Sequence, residues 1–298
     1  MQTNQQLLQE FIDHLKFHKR YSQHTIVSYQ TDLTTFFDFL AMEYGEITSV
    51  VSASMIRGWL ASLKENEQAS KTINRKISTL KSFYKFLLRK EIISVSPMAA
   101  IVSLKVSKRL PSYIEQKDMQ TLFNHVEFPD TWDGKTERLL LEIFYQTGIR
   151  LSELINLKQS QIDKSNSTIK VLGKGNKERI IPINNDLATK IFQYISEKTT
   201  SAINPGPPEL LISGKGKKLA PRHVYNVVKH YLSLVTTNEK KSPHVLRHTF
   251  ATHLTGNGAD INAIKELLGH SSLAATQVYT SNTIEKLKDI HKKAHPKA

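Results

Sequence analysis

Outside its loops, apolar residues in this chain recur three or four apart, and the period drops to two only once, between Ser167 and Ile183. A sequence patterned this way folds as packed helices with room for one small antiparallel hairpin. From Ser22 to Gly45, the residues Ile26, Tyr29, Leu33, Phe36, Phe37 and Leu40 form one stripe of a helix. Ser22 is placed to cap it and Gly45 to stop it. Ser70–Lys90 repeats the design, with Ile73, Ile77, Leu80, Phe83, Tyr84 and Leu87 on one side. Its other side is read as basic: Lys71, Arg75, Lys76, Lys81, Lys85 and Arg89. With Asn4–Lys19 and Ser54–Glu65 this makes four helices, and so an all-α unit over residues 1–93.

The stretch from Ser94 to Ser112 holds Pro97 and Pro111 and no clear period, which marks a linker. A second unit then spans residues 113–298. Helices are expected at Glu115–Val126 and Thr136–Thr147, then two strands around the GKGN turn of STIKVLGKGNKERIIPI. Helical spacing resumes at Asp186 and continues through Arg222–Leu234, His244–Asn257, Asp260–Leu267, Leu273–Val278 and Thr283–His291. The expected fold class is mainly α: a four-helix N-terminal unit, then a mixed, mostly α unit with a small antiparallel sheet.

Lys and Arg total 41 against 27 Asp and Glu among 298 residues, a net charge of +14. That excess favours a polyanion, because surface cations displace the counterions condensed on a phosphate backbone. The larger share of it falls after residue 105. There are no cysteines, hence no disulfides and no thiolate metal sites. The N-terminus MQTNQQLLQEF lacks a basic-then-apolar signal pattern, and no window approaches the roughly 18 apolar residues of a membrane span. A cytoplasmic protein with no membrane partner is expected.

SPHVLRHTFATHL, from Ser242 to Leu254, is the densest cluster of polar rings in the chain. His244, Arg247 and His248 are spaced i, i+3, i+4 near a helix start, where free backbone N–H groups favour an anion. An arginine fork beside an imidazole would cradle phosphate oxygens. A zinc reading would use His244 and His248, but it lacks a glutamate and sets Arg247 beside the metal. A third reading leaves these histidines solvated or satisfied within a helix. Elsewhere TGIRLSEL sets Arg150 at a loop-to-helix start, with Glu153 placed to brace it or to act as a surface carboxylate. GKGNKER puts Lys174 at the hairpin tip, LGHSS puts His270 after a glycine, and VYT holds Tyr279. These residues together suit phosphoryl transfer. Tyrosine can attack phosphorus, arginines and imidazole can neutralise the transition state, and lysine can protonate the leaving oxygen.

In order, TGIRLSEL, GKGNKER, HVLRH, LGH and VYT resemble the motifs of the tyrosine recombinases of the phage integrase family. The helical first unit resembles that family's SAM-like core-binding domain, so the likeness spans nearly the whole chain. The length, and a sequence without a further N-terminal arm-binding segment, look most similar to Xer-type site-specific recombinases that resolve chromosome dimers. Integrases of mobile elements share the same motifs. Type IB topoisomerases and a non-catalytic DNA-binding regulator are the other readings.

The resemblance implies a catalytic set of Arg150, Lys174, His244, Arg247, His270 and the nucleophile Tyr279, with no cofactor and no metal. It implies double-stranded DNA with paired half-sites as partner, and a homo- or hetero-tetramer on that DNA. A second related recombinase and an activating protein could join it. It also implies a nucleoid-associated, cytoplasmic location, two units closing on DNA, and a Thr283–Lys297 tail that docks on a neighbouring protomer. Arg75, Lys76, Lys81 and Arg222 are the candidate DNA contacts. His248 and His253 are left to helix packing.

Overall fold

The computed structural model describes residues 3–45, 51–106, 112–173, 178–200, 207–269 and 289–297. The chain divides into two units, Met1–Arg109 and Leu110–Ala298.

In the first unit Thr3 opens α1 (Asn4–Asp13) through a capping box with Gln6. The chain then widens into one π-turn, His14–His18, before α2 (Gln23–Tyr44). The Ser22 hydroxyl accepts from the Thr25 N–H at the start of α2, and Gly45 ends it at φ 79°. Next come α3 (Ala53–Glu65), capped by Ser52, and α4 (Ser70–Arg89). The apolar stripes of all four meet in one core around Phe11, Phe36, Trp59, Ile77 and Phe83. Each such side chain removed from water stabilises the fold by roughly 1.5–3 kcal/mol. Phe11 meets Phe83 edge-on, with ring centroids 5.4 Å apart.

Part of the segment read as a linker from Ser94 belongs to this packing. Met98 and Ile101 are buried in the same core. The Asn74 amide accepts from the Leu104 N–H at 2.8 Å and donates to the Leu104 carbonyl at 2.9 Å.

The second unit begins with α5 (Gln116–Asn124) and α6 (Trp132–Thr147). Helix α6 starts at Trp132 rather than Thr136, because the Thr131 hydroxyl caps it by accepting from the Gly134 N–H at 3.1 Å. Every residue of α6 from Leu139 to Thr147 is buried, which makes it the central post of the unit. Short α7 (Leu151–Ile155) follows, then a three-stranded antiparallel sheet of β1 (Ile162–Asp163), β2 (Thr168–Leu172) and β3 (Glu178–Pro182), in that order. The hairpin pairs Ile169 with Ile181 and Val171 with Arg179. The two-residue β1 is too short to carry an alternation. The helices α8 (Asn185–Thr200), α9 (Pro221–Val235), α10 (Pro243–Gly256) and α11 (Ile261–Leu268) complete the frame. Helix α10 lies along α6, with Phe250 and Leu254 fully buried.

Residues 289–294 form a further helical stretch, and the chain to residue 297 docks on its own unit. The ring Nε2 of His291 bonds the Gln146 carbonyl at 2.8 Å, and that of His295 bonds the Tyr145 carbonyl at 3.0 Å. Asn257 donates to the Ala294 carbonyl, and the Lys297 ammonium sits 3.9 Å from the Phe123 ring centroid. The expectation for the tail was a neighbouring protomer; within the single chain its described end covers the ends of α6 and α10. The expected Leu273–Val278 helix lies outside the described residues.

Candidate active site

The site begins where α6 stops. Gly148 adopts φ 57°, and a Cβ there would sit 2.5 Å from Phe250 Cδ1, so only glycine lets the chain turn this close to α10. The turn delivers Arg150 to the N-cap of α7. From α10, the buried Arg247 reaches back to the same turn and donates to the Gly148 carbonyl at 2.6 Å. Its other terminal nitrogen donates to the Leu268 carbonyl at 2.5 Å, at the end of α11. Arg150 donates to the next carbonyl, Gly269, at 3.1 Å. Both guanidinia are therefore aimed by backbone oxygens at helix C-termini, which carry partial negative charge.

Glu153 lies beneath them, its side chain 4% exposed. Its carboxylate accepts from the Arg150 N–H and guanidinium at 2.8 and 2.7 Å. It also accepts both arms of Arg179 at 2.8 Å each. Of the two roles left open for Glu153, the structure takes the brace. Burial acts to raise its carboxyl, but the bonds from Arg179 and Arg150 outweigh it and hold the group down at about 2. Burial, then the charges of Arg150 and Arg179, push the Arg247 guanidinium down to about 9, so it stays charged at neutral pH. Three guanidinia around one carboxylate leave a surplus of positive charge, of which Arg150 is the partly exposed member.

Of the expected set, Arg150 and Arg247 are brought together. His244 is exposed in the first turn of α10. Lys174, His270 and Tyr279 lie outside the described residues; Lys174 falls between β2 and β3 in sequence, and His270 directly follows Gly269. Ser242 occupies the N-cap of α10 with Pro243 after it, but its hydroxyl makes no capping bond. His253 packs inside, with Nδ1 3.1 Å from the Tyr145 hydroxyl, and burial lowers its pKa. Its Nε2 has no partner, so the expected satisfaction is only half met. Among the described residues no group of three or more His, Asp or Glu could hold a metal. Arg179 was missed by sequence reasoning, although it shares the inward phase of Ile181 and Ile183.

In the first unit the candidate DNA contacts separate. Lys81 is exposed on α4, and Arg222 is exposed in the first turn of α9 in the second unit. Arg75 is half exposed and bonds Ser28 and Asp32. Lys76 does not belong with them. It is buried, 3.2 Å from Asp32, bonded to Thr35 and set over the Trp59 ring. Spaced three residues after Ile73 and four before Leu80, it falls on the apolar stripe, so the expected DNA contact at this position is withdrawn.

Residues 112–286 match the phage integrase family, and residues 8–91 match the phage integrase N-terminal SAM-like domain. The tyrosine recombinase XerC of Anoxybacillus flavithermus is 37% identical over 97% of this chain and 97% of its own length. That of Listeria welshimeri is 38% identical over 98% of each. Two solved structures share the fold at 19% identity and a TM-score of 0.71: the XerH site-specific recombinase bound to palindromic difH substrate and the Tn1549 transposon integrase. The first covers 99% of this chain and 82% of that one, the second 96% and 99%. A SAM-like helical unit ahead of a mixed, arginine-bearing unit defines a site-specific DNA recombinase of the tyrosine class. The chain belongs to the phage integrase family, within which it is Xer-like.

Proposed function

We propose that Tyr279 attacks the scissile phosphate of double-stranded DNA and forms a 3′-phosphotyrosyl bond as the P–O5′ bond breaks. Arg150 and Arg247 hold the non-bridging oxygens, His270 donates to the phosphate, and Lys174 protonates the departing 5′ oxygen. His244 assists proton transfer and positions the tyrosine or phosphate. The phosphotyrosyl bond conserves the energy of the phosphodiester, so a 5′-hydroxyl from a partner strand can reseal it with neither ATP nor metal. The observation that carries this reading is the pair Arg150 and Arg247, fixed on successive carbonyls just before His270 amid uncompensated positive charge. A planar fork held in place stabilises charge that develops on phosphate oxygens better than a mobile ammonium can.

The partner is DNA with paired half-sites, gripped with help from Arg75, Lys81 and Arg222. Strand exchange involves four protomers, with or without a second recombinase and an activator, and resolves chromosome dimers. The XerC naming of full-length relatives supports this biological setting over mobile-element integration.

The test uses the duplex that the wild-type protein selects most strongly from a random-sequence library, nicked so that the cleaved strand is lost. Wild type should become covalently attached to it, and Tyr279→Phe should bind it without attachment. Binding with no adduct by wild type would identify a regulator instead. Relaxation of a two-site plasmid with no exchange product would identify a topoisomerase.

A further inference from the structure

We propose that Arg179 is a positioning residue for strand cleavage, acting through Glu153 on Arg150 and through the Leu267 carbonyl on the segment that leads into His270. This rests on the phosphotransfer roles given above to Arg150 and His270.

Arg179 stands on β3, just after the stretch that contains Lys174, and its side chain is 4% exposed. It touches no solvent-facing surface on which a phosphate could land, so it is not itself a ligand for DNA. All of its terminal bonding is spent inside. Both arms grip the two oxygens of Glu153, and Nε donates to the Leu267 carbonyl at 2.8 Å. The Arg179 stem also lies under Gly269, where an added Cβ would be 3.0 Å from Cδ. One side chain thus joins three segments: the strand after Lys174, the carboxylate that fixes Arg150, and the last turn of α11. Arg179 is bidentate on the single carboxylate that also orients Arg150, and a bidentate fork fixes direction as well as distance. Arg179 thereby keeps Glu153 ionised and immobile while Arg150 turns its remaining donors outward.

The experiment measures single-turnover adduct formation on the selected, nicked duplex described above, together with affinity for that duplex and thermal stability. Arg179→Lys keeps the charge and loses the fork. It should bind within about threefold of wild type and cleave roughly ten- to a hundredfold more slowly, the loss expected for one charged hydrogen-bond pair. In an Arg150→Ala background the same change should cost less than about twofold more, because the residue it acts through is gone. A wild-type cleavage rate in Arg179→Lys overturns the proposal. So does an equal loss in both backgrounds, which would mark general destabilisation. If the lysine variant does not fold, Arg179→Met combined with Glu153→Gln removes both buried charges of that pair together, so neither is left as a lone buried ion. This double variant should still cleave slowly, and a wild-type rate from it overturns the proposal. Failure of wild type itself to form an adduct would instead remove the phosphotransfer reading, and this inference with it.

Discussion

Asp32 in the first unit of this recombinase and Glu153 in the second are both buried carboxylates among cations, and the two do different work. Asp32 in the first unit collects Arg75, Lys76 and the Thr79 hydroxyl, all from α4, and so pins α2 against α4. Glu153 collects Arg150 and Arg179 from separate segments, while Arg247 nearby finds only carbonyls. At Asp32 the cations are neighbours on one helix, and the cluster is a brace with one half-exposed arm. At Glu153 they come from different parts of the fold, and the adjoining Arg247 bonds carbonyls and no carboxylate, which leaves the charge that the proposed chemistry would use. Buried carboxylates look alike in isolation; what separates brace from site is how many cations are left without one.

That contrast can be broken most forcefully at Glu153. Glu153→Gln should lower stability at neutral pH by about 3 kcal/mol, in line with loss of one member of a buried ion pair. The Glu153 carboxyl is held at about 2, below its ordinary 4.5, so its contribution is complete above about pH 4.5 and fades as pH falls towards 2. Denaturant midpoints of wild type and variant should therefore converge across that window, and a constant gap would contradict the assignment. At Asp32, Asn leaves the buried Lys76 without its carboxylate and should cost a similar amount, about 3 kcal/mol, but should not slow cleavage by DNA-saturated enzyme. A cleavage defect at saturation would erase the distinction between brace and site. The smallest effect separates two neighbouring lysines. Lys81→Ala should reduce the salt slope of DNA binding by about one counterion, whereas Lys76→Met should leave it unchanged.

Much of this was legible beforehand, for reasons that also explain the failures. The stripes of α2 and α4 are long and uninterrupted, so their period survives any local accident. The start of α6 was hidden because Gly134 in its first turn reads as a breaker until the Thr131 cap is seen. Lys76 was misplaced because residue type was allowed to outrank phase; a lysine on an apolar stripe requires a buried acid, and Asp32, three residues after Tyr29 and four before Phe36, was that acid. Arg150 and Arg247 stood out through their motifs, yet their aim depends on carbonyls at Gly148, Leu268 and Gly269 that no local pattern reports. Arg179 was readable from strand phase alone, but its partner Glu153 lies across the β1–β2 region and becomes its neighbour only in three dimensions.

The anchors of Arg247 also tie its placement to distant parts of the chain. One anchor lies 99 residues before it in sequence and the other 21 after it. Contacts between segments so far apart form late, once loop closure has been offset by packing elsewhere. A nascent or partly unfolded chain therefore carries Tyr279 without the assembled charges that the proposed chemistry requires. On the roles proposed for Arg247 and Tyr279, the capacity to break DNA depends on the finished fold and is lost with it.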